Sequence, residues 1–331
     1  MEIYLTHSTA LEYWRRQGKT RGEGLRYQRR ARIPAASPSA QLLEHAGDAG
    51  FAPPLEIVVA TPDARRPSSA VKPYVFSGSL PDNSFVSLGD GLFVSSPELC
   101  FFQMASKLSL IELIELGFEL CGSFALLAPT ADPAADPAAD PEGDGSAPDD
   151  KGVYDLPELT SVKKLAAFVE RMKGADGYAR ASKALRYIAD GSGSPMEARL
   201  TMLLTLPYRY GGYGLPMPQL NYRITPDKVA RRSTNRSYFE CDLYWPAQKL
   251  AVEYDSEKHH SADRKIAEDA IRRNTLSVLG ITPIVVTKRQ LFSVLELEKL
   301  AVQLSRKLGK QLKHKKPGFD KARDSLRKLL L

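Results

Sequence analysis

The sequence predicts a mixed α+β / α/β protein in two parts. Strand-like and helix-like periodicities alternate along both halves. A Pro/Ala/Asp tract near the middle separates them, and the stretch 238–255 reads as two strands joined by a tight turn, with helical spacing before and after it.

Composition sets the outer limits. A chain of 331 residues has room for two domains and a sizeable core. Hydrophobic residues are 43% and charged residues 26%, which fits a globular protein and excludes a disordered or fibrous one. No apolar run is long enough to span a bilayer, so no membrane partner is expected. Glu2, His7 and Glu12 stand where a signal peptide needs an apolar core, which predicts a cytoplasmic protein. Cys100, Cys121 and Cys241 lie scattered in apolar contexts and read as reduced core residues, neither bridges nor a zinc site. The net charge is +7, with Arg and Lys concentrated toward both ends, which suggests a polyanion partner.

Residues 1–128 form the first predicted domain. A helix starts at Thr6-His7-Ser8-Thr9 and runs into Arg15, Arg16, Lys19, Arg21, Arg26, Arg29, Arg30 and Arg32, interleaved with Trp14 and Tyr27. That interleaving is a candidate phosphate-contacting patch, or else a solvated basic loop. Strands are expected at 55–60, 72–76 and 91–94. Ser96-Pro97 then opens a helix through Phe101, Met104 and Leu108, with proline at its first position. Residues 129–153 contain three Asp-Pro steps among alanines; proline, small residues and like charge cannot bury enough surface to order themselves, so this is a linker. Residues 154–192 carry two helical stripes, Leu165/Phe168/Val169/Met172 and Ala184/Leu185/Tyr187/Ile188, and read as a helical connector.

The informative stretch is Tyr238–Asp255. Successive side chains on a strand alternate faces. Phe239, Cys241 and Leu243 therefore oppose Glu240 and Asp242, and Leu250, Val252 and Tyr254 oppose Ala251, Glu253 and Asp255. If the acidic faces coincide, Asp242, Glu253 and Asp255 converge on a small volume. Packed carboxylates must be hydrated, protonated, paired with bases or neutralised by a cation. An all-oxygen set favours a hard ion, Mg²⁺ or Mn²⁺, over zinc. The plainer reading is a half-exposed hairpin whose acids face water.

Around this hairpin lie further ordered pieces. Ser194-Pro195-Met196-Glu197 opens a helix, and Glu197 at its third position suits a capping box, a role compatible with presenting an acid to the sheet. Residues 219–224 read as a strand, 263–279 as a helix stopped by Gly280, and 281–287 as another strand. The series Ser194-Pro195-x-Glu197, Leu215-Pro216-x-Pro218-Gln219, Asp242-Leu243-x-Trp245-Pro246 and Lys249-Leu250-Ala251-Val252-Glu253-Tyr254-Asp255, with His259-His260, Asp269-x-x-Arg272 and Val285-Val286-Thr287, resembles the very-short-patch-repair (Vsr-like) endonucleases of the PD-(D/E)XK superfamily over 193–290. The resemblance implies a restriction-endonuclease-like mixed sheet with a helix on each side and a nuclease-type cleft. Two departures stand out: Ser256 replaces the usual glycine, and Asp255 replaces the superfamily lysine, which leaves the catalytic base unassigned. The first domain resembles, more loosely, AbiEi-like antitoxins and regulators, through Leu5-Thr6-His7-Ser8-Thr9-Ala10, Ile57-Val58-Val59 and Leu92-Phe93-Val94-Ser95-Ser96-Pro97-Glu98-Leu99.

These readings together predict a metal-dependent DNA endonuclease. Asp242, Glu253 and Asp255 are the candidate ligands of one Mg²⁺ (or Mn²⁺), Glu197 the candidate holder of a further water, and His260, ahead of His259, the candidate proton relay. Lys258, Arg272 and Arg273 are placed to steady phosphate or hold the acids, and Lys313, Lys315 and Lys316 belong to basic C-terminal helices over 291–331. The expected partner is double-stranded DNA first and RNA second, with a homodimer left open. The competing expectation is a non-catalytic DNA-binding protein of a toxin–antitoxin or regulatory system that keeps a degenerate nuclease fold. A protein-interaction module with a basic surface is the third.

Overall fold

A computed structural model describes residues 2–76, 78–126, 152–228, 231, 234, 236–255, 271–314 and 316–331. The chain divides into two compact units, Met1–Ile188 and Ala189–Leu331. Most of the acidic tract expected as a linker, and the histidine pair, lie outside the described residues.

In the first unit a six-stranded mixed sheet runs β2-β5-β6-β1-β3-β4, with β1 Ile3–Leu5, β2 Arg26–Gln28, β3 Leu55–Val59, β4 Val71–Val75, β5 Phe85–Gly89 and β6 Leu92–Ser95. All five residues of β3 are buried, as a continuous apolar-rich run between two neighbours requires. The β5–β6 hairpin closes through Asp90 and Gly91, both at positive φ, which matches the twist of the strands they join. Helices α1 His7–Arg16, α2 Ala40–Asp48, α3 Pro97–Met104 and α4 Leu110–Leu120 join it, α3 opening on a Ser96 cap with Pro97 behind it and α4 on a full Ser109/Glu112 capping box. A two-stranded ribbon pairs β7 Ala125–Leu126 with β8 Gly152–Val153. Helices α5 Val162–Arg171 and α6 Tyr178–Ala184, expected as a connector, pack on α3 and α4 inside this unit. Gly117 of α4 admits Ile188 so closely that a Cβ there would lie 2.2 Å from its Cδ1.

Two arginines of the expected phosphate patch are structural. Arg15 donates to both oxygens of buried Glu119, at 2.8 and 2.7 Å. Arg21 is 1% exposed and donates to the carbonyls of Pro157, Phe124 and Gly122 at 2.5, 3.0 and 2.8 Å. Sequence spacing could not separate these from their exposed neighbours, because their acceptors lie more than 100 residues away.

The second unit is built on a four-stranded mixed sheet in the order β12-β11-β10-β9, with β9 Gln219–Ile224, β10 Phe239–Trp245, β11 Leu250–Asp255 and β12 Thr282–Thr287. The first three strands run antiparallel to their neighbours, while β11 and β12 are parallel and so need a crossover. That crossover includes the helix α8, described over 271–278, whose Leu276 packs with Phe239, Cys241, Tyr244, Ala251 and Ile281. It stops at Gly280, φ +71, as the sequence predicts. Helix α7 Pro195–Thr205 packs against β10. Helices α9 Lys288–Phe292, α10 Val294–Lys307 and α11 Phe319–Leu330 complete the unit. Arg327 of α11 donates to the carbonyls of Leu291 and Phe292, and Gly211 lies so close to α11 that a Cβ would meet Ala322 O at 2.3 Å. The basic C-terminal helices are therefore a docked part of this unit, with Leu297, Leu300, Leu304, Leu326 and Leu330 buried. Among the described residues no helix is long and apolar enough to cross a membrane.

Arg21→Ala should strip three buried carbonyls of a charged donor and destabilise the first unit by about 3 kcal/mol or more. Arg21→Lys should recover little of this, since one ammonium lacks the planar fork. Urea unfolding followed by a probe in the first unit checks both; wild-type midpoints for both variants would contradict the packing described.

Candidate functional site

The β10–β11 hairpin turns through a single 3₁₀ turn, Pro246–Gln248, with Lys249 left-handed at φ +47. Its register pairs Trp245 with Leu250, Tyr244 with Ala251 and Leu243 with Val252. One step further, the backbone N–H of Tyr254 donates to Asp242 Oδ2 at 2.6 Å. A carboxylate thus takes a main-chain donor where the paired register ends, a charge-assisted bond that fixes the side chain. The same register sets Glu253 across from Asp242, as period-two alternation predicts.

Glu253 is held from the other side by Arg272. The guanidinium Nη2 donates both to Glu253 Oε2 and to the Glu240 carbonyl. Glu253 Oε1 is buried without a hydrogen-bond partner, the Cys241 thiol beside it giving only a weak stabilising contact. Arg272 thus takes the acid-holding role among those the sequence offered it.

Glu197 sits at the third position of α7. Its backbone N–H donates to the Ser194 cap at 3.1 Å, while its carboxylate bonds the Ser194 side chain and not the Ser194 backbone N–H that a capping box requires. Oε2 instead accepts from Gly193 N at 2.9 Å and from Asn221 Nδ2, on β9, at 2.6 Å. The half-formed box frees the acid to face the sheet. Asn221 carries no catalytic signature in sequence and was legible only as a strand residue.

These three carboxylates share one field. Burial first, and then the charge of Asp242, raises the Glu197 pKa to about 7. Burial and then Glu253 raise that of Asp242 to about 7. Burial raises Glu253 as well, Arg272 working against it. Among the described residues, three carboxylates face one guanidinium, a net of minus two when all are ionised, and burial and mutual repulsion favour uptake of protons or of a cation there.

The remaining expected residues are placed differently. Asp255 ends β11, paired in register with Thr287. Among the described residues no group of three or more His, Cys, Asp or Glu side chains is arranged as a ready-made ligand set for a metal ion, which holds for Glu197 with Asp242 and Glu253 as it does for Asp242, Glu253 and Asp255. Lys258, His260 and Lys315 lie outside the described residues. Arg273 is exposed on α8, next to Arg272. Lys313 and Lys316 are exposed between α10 and α11, the backbone N–H of Lys313 donating to the Tyr208 hydroxyl. Cys100, Cys121 and Cys241 are buried free thiols.

No family model matches this chain, and no solved structure matches it. It is similar to two proteins of Mycobacterium tuberculosis, Uncharacterized protein MT2308 and Uncharacterized protein Rv2248. Each is 32% identical over 123 residues, which covers 36% of this chain and 40% of the relative. The match therefore spans about two fifths of the length of these relatives, whose names assign no activity.

The shifted acids give the second unit a distinctive pH response. Unfolded, Glu197 and Asp242 titrate near the ordinary carboxylate values of about 4, and folded they hold protons to higher pH. The folded unit thus binds more protons than the unfolded chain between about pH 4 and pH 7, so its stability falls as pH rises through that window. Thermal unfolding of the second unit in chelator should show this decline, and Glu197→Gln should flatten it. A decline unchanged in Glu197→Gln would contradict the assignment.

Proposed function

We propose that the second unit is a divalent-cation-dependent endonuclease of the Vsr-like, PD-(D/E)XK kind, acting on phosphodiester bonds of double-stranded DNA. The observation that carries this reading is that Glu197, Asp242 and Glu253, presented on α7, β10 and β11, act on one another's protonation, with Arg272 paired to Glu253 among the described residues. A protein that merely held a polyanion would gain nothing from clustered negative charge.

The donor set suits Mg²⁺ or Mn²⁺ in the mode that uses one or two carboxylates and completes its shell with water and substrate phosphate. Asp242 and Glu253 would hold the ion, the unpartnered Glu253 Oε1 being the oxygen most in need of it. Such an ion makes a water more acidic and offsets charge on a phosphoryl oxygen. The chain's own groups do the rest. Asp242, pinned by Tyr254 N–H, keeps a fixed orientation as its proton leaves. Glu197, whose pKa is raised to about 7, can accept a proton from a nearby water at neutral pH. Arg272 favours the ionised form of Glu253 against the effect of burial and restrains it from turning away. The exposed Arg273, Lys313 and Lys316 supply sites for backbone phosphates.

Purified protein with Mg²⁺ should cleave at least one of duplex, nicked or mismatched DNA. Asp242→Ala and Glu253→Ala should each lower the rate at least about 100-fold, the loss of roughly 3 kcal/mol of charge stabilisation. Equal activity in both variants would reject the assignment. Replacing Lys313 and Lys316 with Ala should reduce the steepness of the salt dependence of DNA affinity by about two phosphate contacts at most. An unchanged slope would remove that segment from the interface.

A further inference from the structure

We propose that Asn221 is a positioning residue that aims the Glu197 carboxylate at Asp242 and thereby sets the affinity of the acid cluster for a divalent cation. This rests on the metal reading above and adds to it a residue that no motif marks.

Asn221 is a conformational exception. It sits inside β9 yet has φ +43, a left-handed value that non-glycine residues adopt at a cost and that strands normally exclude. The β9–β10 ladder pairs Cys241 with Tyr222 and Leu243 with Leu220, which sets Asn221 across from Asp242. That step is missing from an otherwise regular register, so the departure falls opposite the central acid.

The side chain shows what the departure achieves. Asn221 Nδ2 donates to Glu197 Oε2 at 2.6 Å and to the Gly191 carbonyl at 2.9 Å, using both amide hydrogens. One group therefore ties the carboxylate on α7 to the loop that precedes the helix. The clamp leaves no spare room. A Cβ on Gly193 would lie 3.0 Å from Asn221 Nδ2 and 3.2 and 3.3 Å from the two Glu197 oxygens. Gly191, at φ +84, has its own would-be Cβ 3.3 Å from Leu220 O. Two glycines, a left-handed asparagine and a half-formed capping box thus converge on the orientation of one acid. A residue kept only for strand stability would be better served by almost any other side chain in an extended conformation.

Asn221→Gly separates positioning from stability, because glycine accepts the left-handed backbone and loses only the amide. Mn²⁺ titration calorimetry at pH 8 and thermal unfolding are read on wild type, Asn221→Gly, Glu197→Ala and the double variant. We expect Asn221→Gly to unfold cooperatively, at a modestly lower temperature because two part-buried acceptors lose their donor, while binding Mn²⁺ about 5- to 30-fold more weakly, in the range of 10–100-fold or less seen when groups that orient metal ligands are lost. In the Glu197→Ala background the same change should have no further effect on affinity. Wild type that binds Mn²⁺ with Asn221→Gly binding equally well overturns this inference alone, as does an equal loss in both backgrounds. Wild type that takes up no Mn²⁺ overturns the shared metal reading and this inference with it.

Discussion

The cost of holding Glu197, Asp242 and Glu253 in a half-dry sheet junction, with Arg272 the one guanidinium paired to them among the described residues, is the constraint on which the second unit depends. Desolvation disfavours every one of those charges, and mutual repulsion adds to it. Arg272 removes one unit of the excess by pairing with Glu253. The Tyr254, Gly193 and Asn221 donors each offset part of what remains. The balance is left for protons or for a ligand, and a site that must recruit positive charge from outside is chemically poised rather than structurally finished.

The fold supplies this arrangement from separate directions. The β10–β11 hairpin sets Asp242 and Glu253 across from one another, and its register ends where the carboxylate of Asp242 replaces a ladder acceptor. The parallel pairing of β11 with β12 requires a crossover, and the crossover helix carries Arg272 in to Glu253. Helix α7 presents Glu197 from its first turn, where the side chain is held by Gly193 N–H and Asn221 in place of the Ser194 backbone N–H. Each element uses a local rule of strand, crossover or cap, and the acids meet because the three rules are applied at adjacent positions. The first unit works differently: its buried charges, Arg15 with Glu119 and Glu56 with Lys107, close on themselves and read as structural.

Much of this was legible in the sequence. Period-two alternation over 239–255 placed the two strands, their turn and the acids Asp242 and Glu253, but it set Phe239 and Cys241 on the opposite face, whereas they cluster with Tyr244 and Ala251 and the Cys241 thiol lies beside Glu253. Ser194-Pro195 and Gly280 marked helix ends through backbone chemistry that acts within a few residues. What parity could not supply was a ligand set: it put Asp255 with Asp242 and Glu253, and among the described residues no three such side chains are gathered to hold a metal ion. Nor could it supply long-range partners. Arg21 looked like its exposed neighbours until three carbonyls from another part of the chain enclosed it, and Asn221 looked like any strand residue until its φ and its amide were seen together. The short strands β1, β2 and β5 escaped notice because three to five residues carry too little periodicity to stand out.

Anomalous diffraction from crystals equilibrated with Mn²⁺ near pH 8 tests the central claim most directly. The account predicts one strong peak at about 2.1–2.3 Å from oxygens of both Asp242 and Glu253. Full Mn²⁺ loading of the crystal with no peak there, and Arg272 still closed on Glu253 beside protonated neighbours, would contradict it.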